Sequence, residues 1–355
     1  MDVDKEVVEL MAGVGRRMAA QNGVKTKITA HTERGGALQG ADFVICSAAR
    51  QMHRRFAMDC EIIDKLAPGH LITEFGGVAG ISYSLRQIAL IQEICADIRK
   101  HCPSAWFFNA ANPLPRVVQA AHEEGVKSVG FCSASLSCFG SIWKIFGGES
   151  IRYPFQPALD TWDVTMAGLN HFTWLLELRE RKSGRDVLPE LRQKIAAGLS
   201  AGNARSEGLC KETGYLLTPG DGHIYDFLEP AGSEKSKTQS SHGTSDERRQ
   251  RLKLLADIGA GLSPWDELLT HRSWEKPVDL VAAIALGRPA AFTSLNLLNR
   301  GQIPELPSNV FVETPCNATR EGPLPQRVSL PKEIVPLCRR TAEVTGTIVR
   351  AARER

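Results

Sequence analysis

The stretch SAWFFNAANPLPRVVQAAHEEGVKSVGFCSA, Ser104 to Ala134, decides the expected fold. Its first part, SAWFFNA, is short and apolar and predicts a β-strand. NPLPRVVQAAHEEG has apolar residues at helical spacing, and VKSVGFCSA is an apolar strand again. Strands as apolar as these are buried on both faces, so the pattern predicts parallel strands joined by a covering helix.

The same alternation runs through the first 135 residues. Apolar residues from Val7 to Met18 recur at helical spacing and predict an amphipathic helix, which includes Gly13 and Gly15. The other predicted elements are strands at 24–30 and 41–48 and helices at 50–66 and 81–101. This order predicts an α/β fold, with residues 1–150 forming a doubly wound, Rossmann-like NAD-binding domain.

After about residue 150 the pattern changes to that of an α+β domain, residues 151–355, expected to bind substrate and metal and to mediate oligomerisation. DVTMAGLNHFTWLLELRER (163–181) predicts long, partly antiparallel strand structure. Further predictions are a helix at 186–199, a polar loop running into a helix at 231–251, and a final helix at 332–355.

The composition is that of an ordinary folded protein, with 355 residues, 43% hydrophobic, 23% charged and a net charge of +3. No Lys/Arg run resembles a nucleic-acid-binding arm, and no apolar stretch approaches the roughly 18 residues of a membrane helix, so neither partner is expected. The start, MDVDKEVVEL, is too acidic for a signal peptide. Nine scattered cysteines without a CxxC pair predict a reducing cytoplasm.

MAGLNHFTWLLEL, Met166 to Leu178, reads as an apolar strand but carries Asn170 and His171 side by side. Buried polar groups usually serve as hydrogen-bonded scaffolding. The local sequence therefore favours a core histidine beside a turn asparagine, with a functional pair as the alternative.

Six motifs in a fixed order carry a resemblance to a known family. They are TEFGGVAGISYSLRQI (73–88), FNAANP (108–113), VGFCSAS (129–135), AGLNHFTW (167–174), TGYLLTPGDGHIYDF (213–227) and LNRGQIPELPSNVFVETPCNATREGPLP (298–325). Together they resemble glycoside hydrolase family 4, the NAD- and divalent-metal-dependent glycosidases, over nearly the whole chain. The branch of α-galactosidases and α-glucosidases looks closer than the 6-phospho branch. The resemblance implies a fold shared with lactate and malate dehydrogenases.

The family's reaction, as the resemblance implies it, is a redox-assisted elimination. NAD+ takes a hydride from C3 of the sugar, a base removes the acidified C2 proton, the aglycone leaves C1, and the hydride returns after water adds. Cys132 and His171 occupy the positions where the family holds its metal, usually Mn2+. A thiolate and an imidazole leave coordination positions open for water and two sugar hydroxyls.

Further site residues are implied by the same resemblance. Asn112 and Asn170 resemble residues that hold sugar hydroxyls. Arg86 matches a position near the active site, and Asn299 lies in a stretch that looks like an active-site loop. The alternatives for these two are a solvated helix face and a simple proline turn.

The proton-transferring residues are less certain from the motif. Many family members use a tyrosine as base, and Tyr225 and His223 are both candidates here, with Tyr215 also present. A polar rim around the sugar is the alternative role. The family usually has His or Asp after the metal cysteine, whereas this chain has Ser133, which cannot act as an acid near pH 7.

The start of the chain departs from the family pattern. MDVDKEVVEL resembles the end of the second strand, where Asp2 or Asp4 would hold the adenosine ribose, and Asn109 is a further expected cofactor contact. The family's opening strand and glycine-rich turn, which meet the pyrophosphate, are absent from the sequence. The chain is therefore expected to bind NAD+ poorly, because of either a misplaced start or a degenerate domain.

Three functions follow from these features. The first is a glycosidase that acts on small glycosides, with no choice made between sugars, anomers or phosphorylated forms. The second is an NAD-deficient paralogue that binds sugar, and the third is a sugar or hydroxy-acid dehydrogenase. A homodimer or homotetramer is expected from the family's habit.

Overall fold

The computed structural model describes residues 1–70, 72–151, 155–228, 245–271 and 275–354. Within these residues one mixed sheet of nine strands forms the centre of the molecule, in the order β1-β2-β3-β7-β8-β4-β5-β6, with β9 beside β8. The strands are β1 (Phe43–Cys46), β2 (Trp106–Asn109), β3 (Lys127–Gly130), β4 (Trp162–Leu169), β5 (Phe172–Glu180), β6 (Leu216–Leu217), β7 (Ala290–Leu298), β8 (Phe311–Thr319) and β9 (Gly322–Pro325).

The helices lie on both faces of the sheet. They are α1 (Lys5–Gln21), α2 (Arg34–Leu38), α3 (Met52–Leu66), α4 (Gly77–His101), α5 (Leu114–Glu123), α6 (Cys138–Ile145), α7 (Gln156–Thr161), α8 (Leu188–Ala196), α9 (Ala204–Thr213), α10 (Asp221–Leu228), α11 (Ser245–Ala260), α12 (Pro277–Leu286) and α13 (Val335–Arg353), with 3₁₀ turns at Ala134–Ser137 and Trp265–His271. Phe107 of β2 packs with Ile91 of α4 and Val117 of α5, whereas its neighbour Phe108 packs with Leu280 of α12. Successive side chains of this strand are therefore buried on opposite faces, as its apolar sequence predicts.

The first three strands are parallel, which confirms the predicted Rossmann-like arrangement. β7 then extends the sheet in the antiparallel sense, with Gly130 opposite Asn296. A Cβ atom on Gly130 would lie 2.7 Å from the Leu114 side chain and 2.9 Å from that of Asn296, so only glycine allows this junction. The predicted regions 1–150 and 151–355 thus share one sheet, and their division into domains remains a prediction.

The predicted strand at 24–30 is wrong, since the structure has no strand there. A strand needs a neighbour to pair its backbone groups. In the described part of the sheet β1 is the edge strand and pairs with β2 alone, so residues 24–30 form no ladder with its other edge.

The other predicted elements are found within a few residues of their expected ends. Gly13 and Gly15 lie inside α1, as expected. Of the predicted loop and helix at 231–251, residues 231–244 lie outside the described residues and α11 covers the rest. All nine cysteines are free, and no helix among the described residues is long and apolar enough to cross a membrane.

Candidate active site

Cys132 follows the carboxyl end of β3 by two residues, at the edge where parallel α/β sheets place their sites. Its Sγ lies 3.1 Å from Nε2 of His171, and the backbone N–H of Ala134 donates to the same sulfur at 3.4 Å. The fold therefore brings together the two residues that the sequence predicts as metal ligands.

His171 reaches this position from a tight turn. Leu169 of β4 pairs directly with Phe172 of β5, so Asn170 and His171 form a two-residue hairpin loop rather than part of a strand. His171 has φ +58°, a left-handed conformation that non-glycine residues rarely adopt. Backbone strain of this kind is concentrated at functional sites.

An aromatic contact fixes the imidazole. The ring of Phe75 lies 4.4 Å from that of His171, centroid to centroid. Phe75 also contacts Phe227 of α10, and Phe227 contacts Phe172, the residue after His171. The segment before α4 therefore packs directly on the histidine, and α10 packs on that segment.

Asn170 is buried and donates from Nδ2 to Oε2 of Glu313 at 3.1 Å. Its Oδ1 is also buried and has no hydrogen-bond partner among the described residues. Glu313 is not among the site residues predicted from the sequence. The available signal was a lone carboxylate inside the apolar strand β8.

The electrostatics of the site disfavour a free thiolate. The pKa of the Cys132 thiol is raised to about 12, first by burial and then by the charge of Glu313, against lowering by hydrogen bonds from Asn170 and Ala134. Burial also raises the pKa of the Glu313 carboxyl, while its hydrogen-bond donors lower it. A cation held beside the sulfur would favour the thiolate instead.

The donor set fits a metal that keeps open coordination positions. Among the described residues, no group of three or more His, Cys, Asp or Glu side chains is placed to hold a metal, and Cys132 and His171 are a pair of such side chains in contact. Two protein ligands leave room for water and substrate oxygens. The unpartnered Oδ1 of Asn170 adds a buried acceptor beside them, suited to a hydroxyl or a metal-bound water.

Two predicted residues, Asn109 at the end of β2 and Asn112 in the loop that follows, lie at the same edge of the sheet as Cys132. Asn112 donates to Glu74 at 3.3 Å, and its carbonyl accepts from Gln87 at 3.1 Å. Asn109 is fully buried, and both polar atoms of its side chain bond to the backbone of Ala111. Asn109 therefore shapes this loop, and its side chain presents no free group to a cofactor.

Gln87 was not singled out from the sequence. It is buried in α4, donates to the carbonyls of Ala48 and Asn112 and accepts from the N–H of Arg50. Because Ala48 follows β1 and Asn112 follows β2, this one amide ties two loops of the site edge together.

The structure contradicts the substrate contact predicted for Asn299. Its Nδ2 donates to three carbonyls, those of Ile303, Leu306 and Pro307, and its Oδ1 accepts two N–H groups. Since β7 runs antiparallel to β3, Asn299 lies past the amino end of β3, away from Cys132. It holds a loop.

Arg86 is also occupied elsewhere. Its guanidinium forms an ion pair with Asp59 of α3 at 2.6 Å and donates to Ser82 at 2.7 Å. These contacts tie α4 to α3. They give Arg86 a structural partner in place of the predicted substrate.

The predicted bases lie in α10, which Phe227 packs against Phe75 and Phe172. Tyr225 is partly buried in this helix. The side chain of His223 lies outside the described part of the structure. Tyr215 stacks on the guanidinium of Arg192, with 4.8 Å between the guanidinium carbon and the ring centroid, and is occupied by that contact.

The two predicted ribose ligands have different surroundings. Asp4 is the N-cap of α1, accepting from the N–H groups of Glu6 and Val7, and it pairs with Arg248 at 3.2 Å. Asp2 is exposed and lines a cavity of about 340 Å³ along β1, together with Ser47 beyond its carboxyl end. Of the two carboxylates, only that of Asp2 lines this cavity.

Two sequence models of one family cover the chain. The model of the family 4 glycosyl hydrolases matches residues 1–147, and that of the family 4 glycosyl hydrolase C-terminal domain matches residues 166–355. The chain belongs to the family 4 glycosyl hydrolases. The family resemblance seen in the sequence is thereby confirmed.

Relatives of this family 4 glycosyl hydrolase include an alpha-galactosidase of Bacillus subtilis (strain 168), 26% identical over 85% of this chain and 71% of that protein. An alpha-glucosidase of Erwinia rhapontici is 25% identical over 94% of this chain and 78% of that protein. The 6-phospho-beta glucosidase of Thermotoga maritima, solved with manganese, NAD+ and glucose-6-phosphate, has a TM-score of 0.74 at 18% identity, covering 99% of this chain and 81% of that one. This structural likeness confirms the fold.

Proposed function

We propose that this family 4 glycosyl hydrolase cleaves small glycosides with NAD and a divalent metal, through oxidation at C3 and elimination across C2 and C1. The single observation that carries the proposal is the 3.1 Å contact between Cys132 Sγ and His171 Nε2. A thiol and an imidazole in contact at the carboxyl edge of a parallel sheet are a suitable pair of ligands for a transition metal.

The metal, Mn2+ or another divalent ion, would be held by Cys132 and His171. When bound, it would polarise the C2 and C3 oxygens of the sugar, and the nicotinamide would accept and return the C3 hydride. Asn170 would accept a hydrogen bond from a sugar hydroxyl through its unpartnered Oδ1. Asn112, at the same edge of the sheet, is a second proposed sugar contact.

NAD is proposed to lie along β1, with Asp2 on the adenosine ribose. Support comes from the cavity beside β1 and from the bound NAD+ of the Thermotoga maritima relative. Nine free cysteines fit action in a reducing cytoplasm, and a homodimer or homotetramer is proposed as the assembly.

Tyr225 or His223 is proposed to remove the C2 proton, since both belong to α10, whose Phe227 contacts the Phe75 ring that lies beside His171. A tyrosine with its ordinary pKa near 10 needs a nearby cation to act as a base at neutral pH. Ser133 supplies no acid, so glycosides with good leaving groups are the expected substrates. α-Galactosides, α-glucosides and uronides are the proposed classes.

The test is a screen of aryl glycosides with NAD+ and Mn2+, which follows both the released phenol and NADH. The proposal expects phenol release without net NADH, because the hydride returns to the sugar. Stoichiometric NADH would identify a dehydrogenase instead. Cys132→Ala should abolish metal-dependent turnover, and full activity of that variant would refute the proposal.

A further inference from the structure

Glu313 is a fully buried carboxylate at the centre of the sheet, with 0% of its surface exposed. It has no cationic partner among its hydrogen-bond donors, all of which are neutral side chains. Burying such a group costs free energy unless it is well satisfied, and an apolar side chain would avoid that cost. Packing alone therefore does not explain why a carboxylate occupies this position.

Its four donors form two matched pairs. Oε1 accepts from the hydroxyls of Ser135 and Ser294, both at 2.7 Å. Oε2 accepts from Nδ2 of Asn170 at 3.1 Å and of Asn296 at 3.4 Å. One member of each pair lies in a segment that carries a proposed metal ligand, and the other lies in β7.

The two segments are those of the thiol and the imidazole. Ser135 is three residues after Cys132, and Asn170 immediately precedes His171. Glu313 thus links two loops that are distant in the sequence, with one hydrogen bond to Ser135 and one to Asn170. Outer groups that fix the ligands in this way affect metal affinity, with typical losses of about 10–100-fold when they are removed.

We propose that Glu313 is a positioning residue of the metal site, which sets the separation of Cys132 and His171 and the orientation of the Asn170 amide. This inference rests on the proposed metal site. Oε2 of Glu313 accepts from the NH₂ group of Asn170, so it holds that group towards itself and leaves Oδ1 as the unpartnered acceptor. The same constraint holds for Asn296, whose Oδ1 is likewise buried without a partner in the described structure.

Glu313→Gln is the most informative substitution because it keeps the shape of the side chain. The new NH₂ group needs an acceptor. It can face the hydroxyl oxygens of Ser135 and Ser294, which then accept and can no longer both donate, or it can face the two asparagines, one of which must then turn its amide and present Oδ1. If Asn170 turns, it presents a donor where the native protein has an acceptor. We expect the Mn2+ affinity to fall about 10-fold or more, with a smaller loss of thermal stability.

Two serine variants distinguish an effect of Glu313 on the position of the metal ligands from an effect on stability alone. Ser135→Ala and Ser294→Ala each delete one hydroxyl from the same oxygen of Glu313, but only Ser135 lies in the loop of Cys132. Both should lower the melting temperature by similar amounts. Only Ser135→Ala should also weaken Mn2+ binding, measured on the full chain by the electron paramagnetic resonance signal of free Mn2+.

The outcomes are distinct. Native protein that fails to bind Mn2+ at all would overturn both the proposed metal site and this inference. If the native protein binds Mn2+, two results would overturn the positioning role alone. One is an unchanged Mn2+ affinity in Glu313→Gln, and the other is an equal loss of affinity in the two serine variants. If Glu313→Gln does not fold, the comparison of the two serine variants still tests the positioning role of Glu313.

Discussion

The ring of Phe75 lies 4.4 Å from the imidazole of His171, with 36° between the ring planes. Phe75 is only 2% exposed and occupies the chain just before the glycine turn that begins α4. The histidine is held on one side by Cys132 and on another by this ring. Its orientation therefore depends on a residue that carries no ligand atom.

Phe75→Ala should weaken both folding and metal binding. Removing a buried phenyl ring costs about 3–5 kcal/mol of unfolding free energy, and the imidazole loses the surface that fixes it. Urea unfolding and Mn2+ titration measure the two effects. Phe75→Leu is the control, since it keeps apolar contact and should lose much less of both; equal Mn2+ affinity in all three proteins would argue against an orienting role.

His171→Asn separates stability from function. Asparagine tolerates the left-handed conformation that His171 adopts at φ +58°, so part of a strain of about 1–3 kcal/mol should be relieved. The relieved strain should offset part of the packing lost against Phe75, so the variant should stay close to the native protein in urea while it loses Mn2+ binding. Gly168→Ala is a contrasting change, because a Cβ atom there would lie 2.5 Å from the carbonyl oxygen of Phe172 and should destabilise the hairpin.

Local pattern was enough to predict most of the fold. Burial between layers determines the apolar strands around Phe107 and Val129 and the helical spacing of α4. It is visible in the local sequence of each segment. The exception at 24–30 has suitable β-forming residues but pairs with no strand of the described structure. Strand pairing depends on distant parts of the chain, so the sequence of a single segment cannot predict it.

The site was predictable only as far as the family resemblance reached. Cys132 and His171 were identified by motif order, and the fold does bring their side chains together. The roles of Glu313 and Asn299 were not visible, because they depend on hydrogen bonds. Glu313 meets Ser135 and Asn170 across 178 and 143 residues, respectively. Asn299 binds its own loop through atoms that are equally suited to a sugar.

Asp2 and Asp4 should respond differently to removal of their carboxylates. Asp4→Ala deletes the N-cap of α1 and should cost about 0.5–2 kcal/mol of stability, with little direct effect on the cavity beside β1. Asp2→Ala should leave stability nearly unchanged and weaken NAD+ binding. Thermal-shift titration with NAD+, with and without Mn2+, measures both; equal NAD+ responses in the two variants would remove Asp2 from the proposed ribose contact.

Asn299→Ala tests the corrected role of that residue. The substitution leaves three carbonyls and two N–H groups of the 299–307 loop without their partner, and each group that stays buried costs about 1–3 kcal/mol. The variant should melt at a clearly lower temperature, while KM for any glycoside that the native protein hydrolyses stays within about twofold below that temperature. A large rise in KM with unchanged melting would restore the substrate contact, because it would mean that the amide binds the sugar and not the loop.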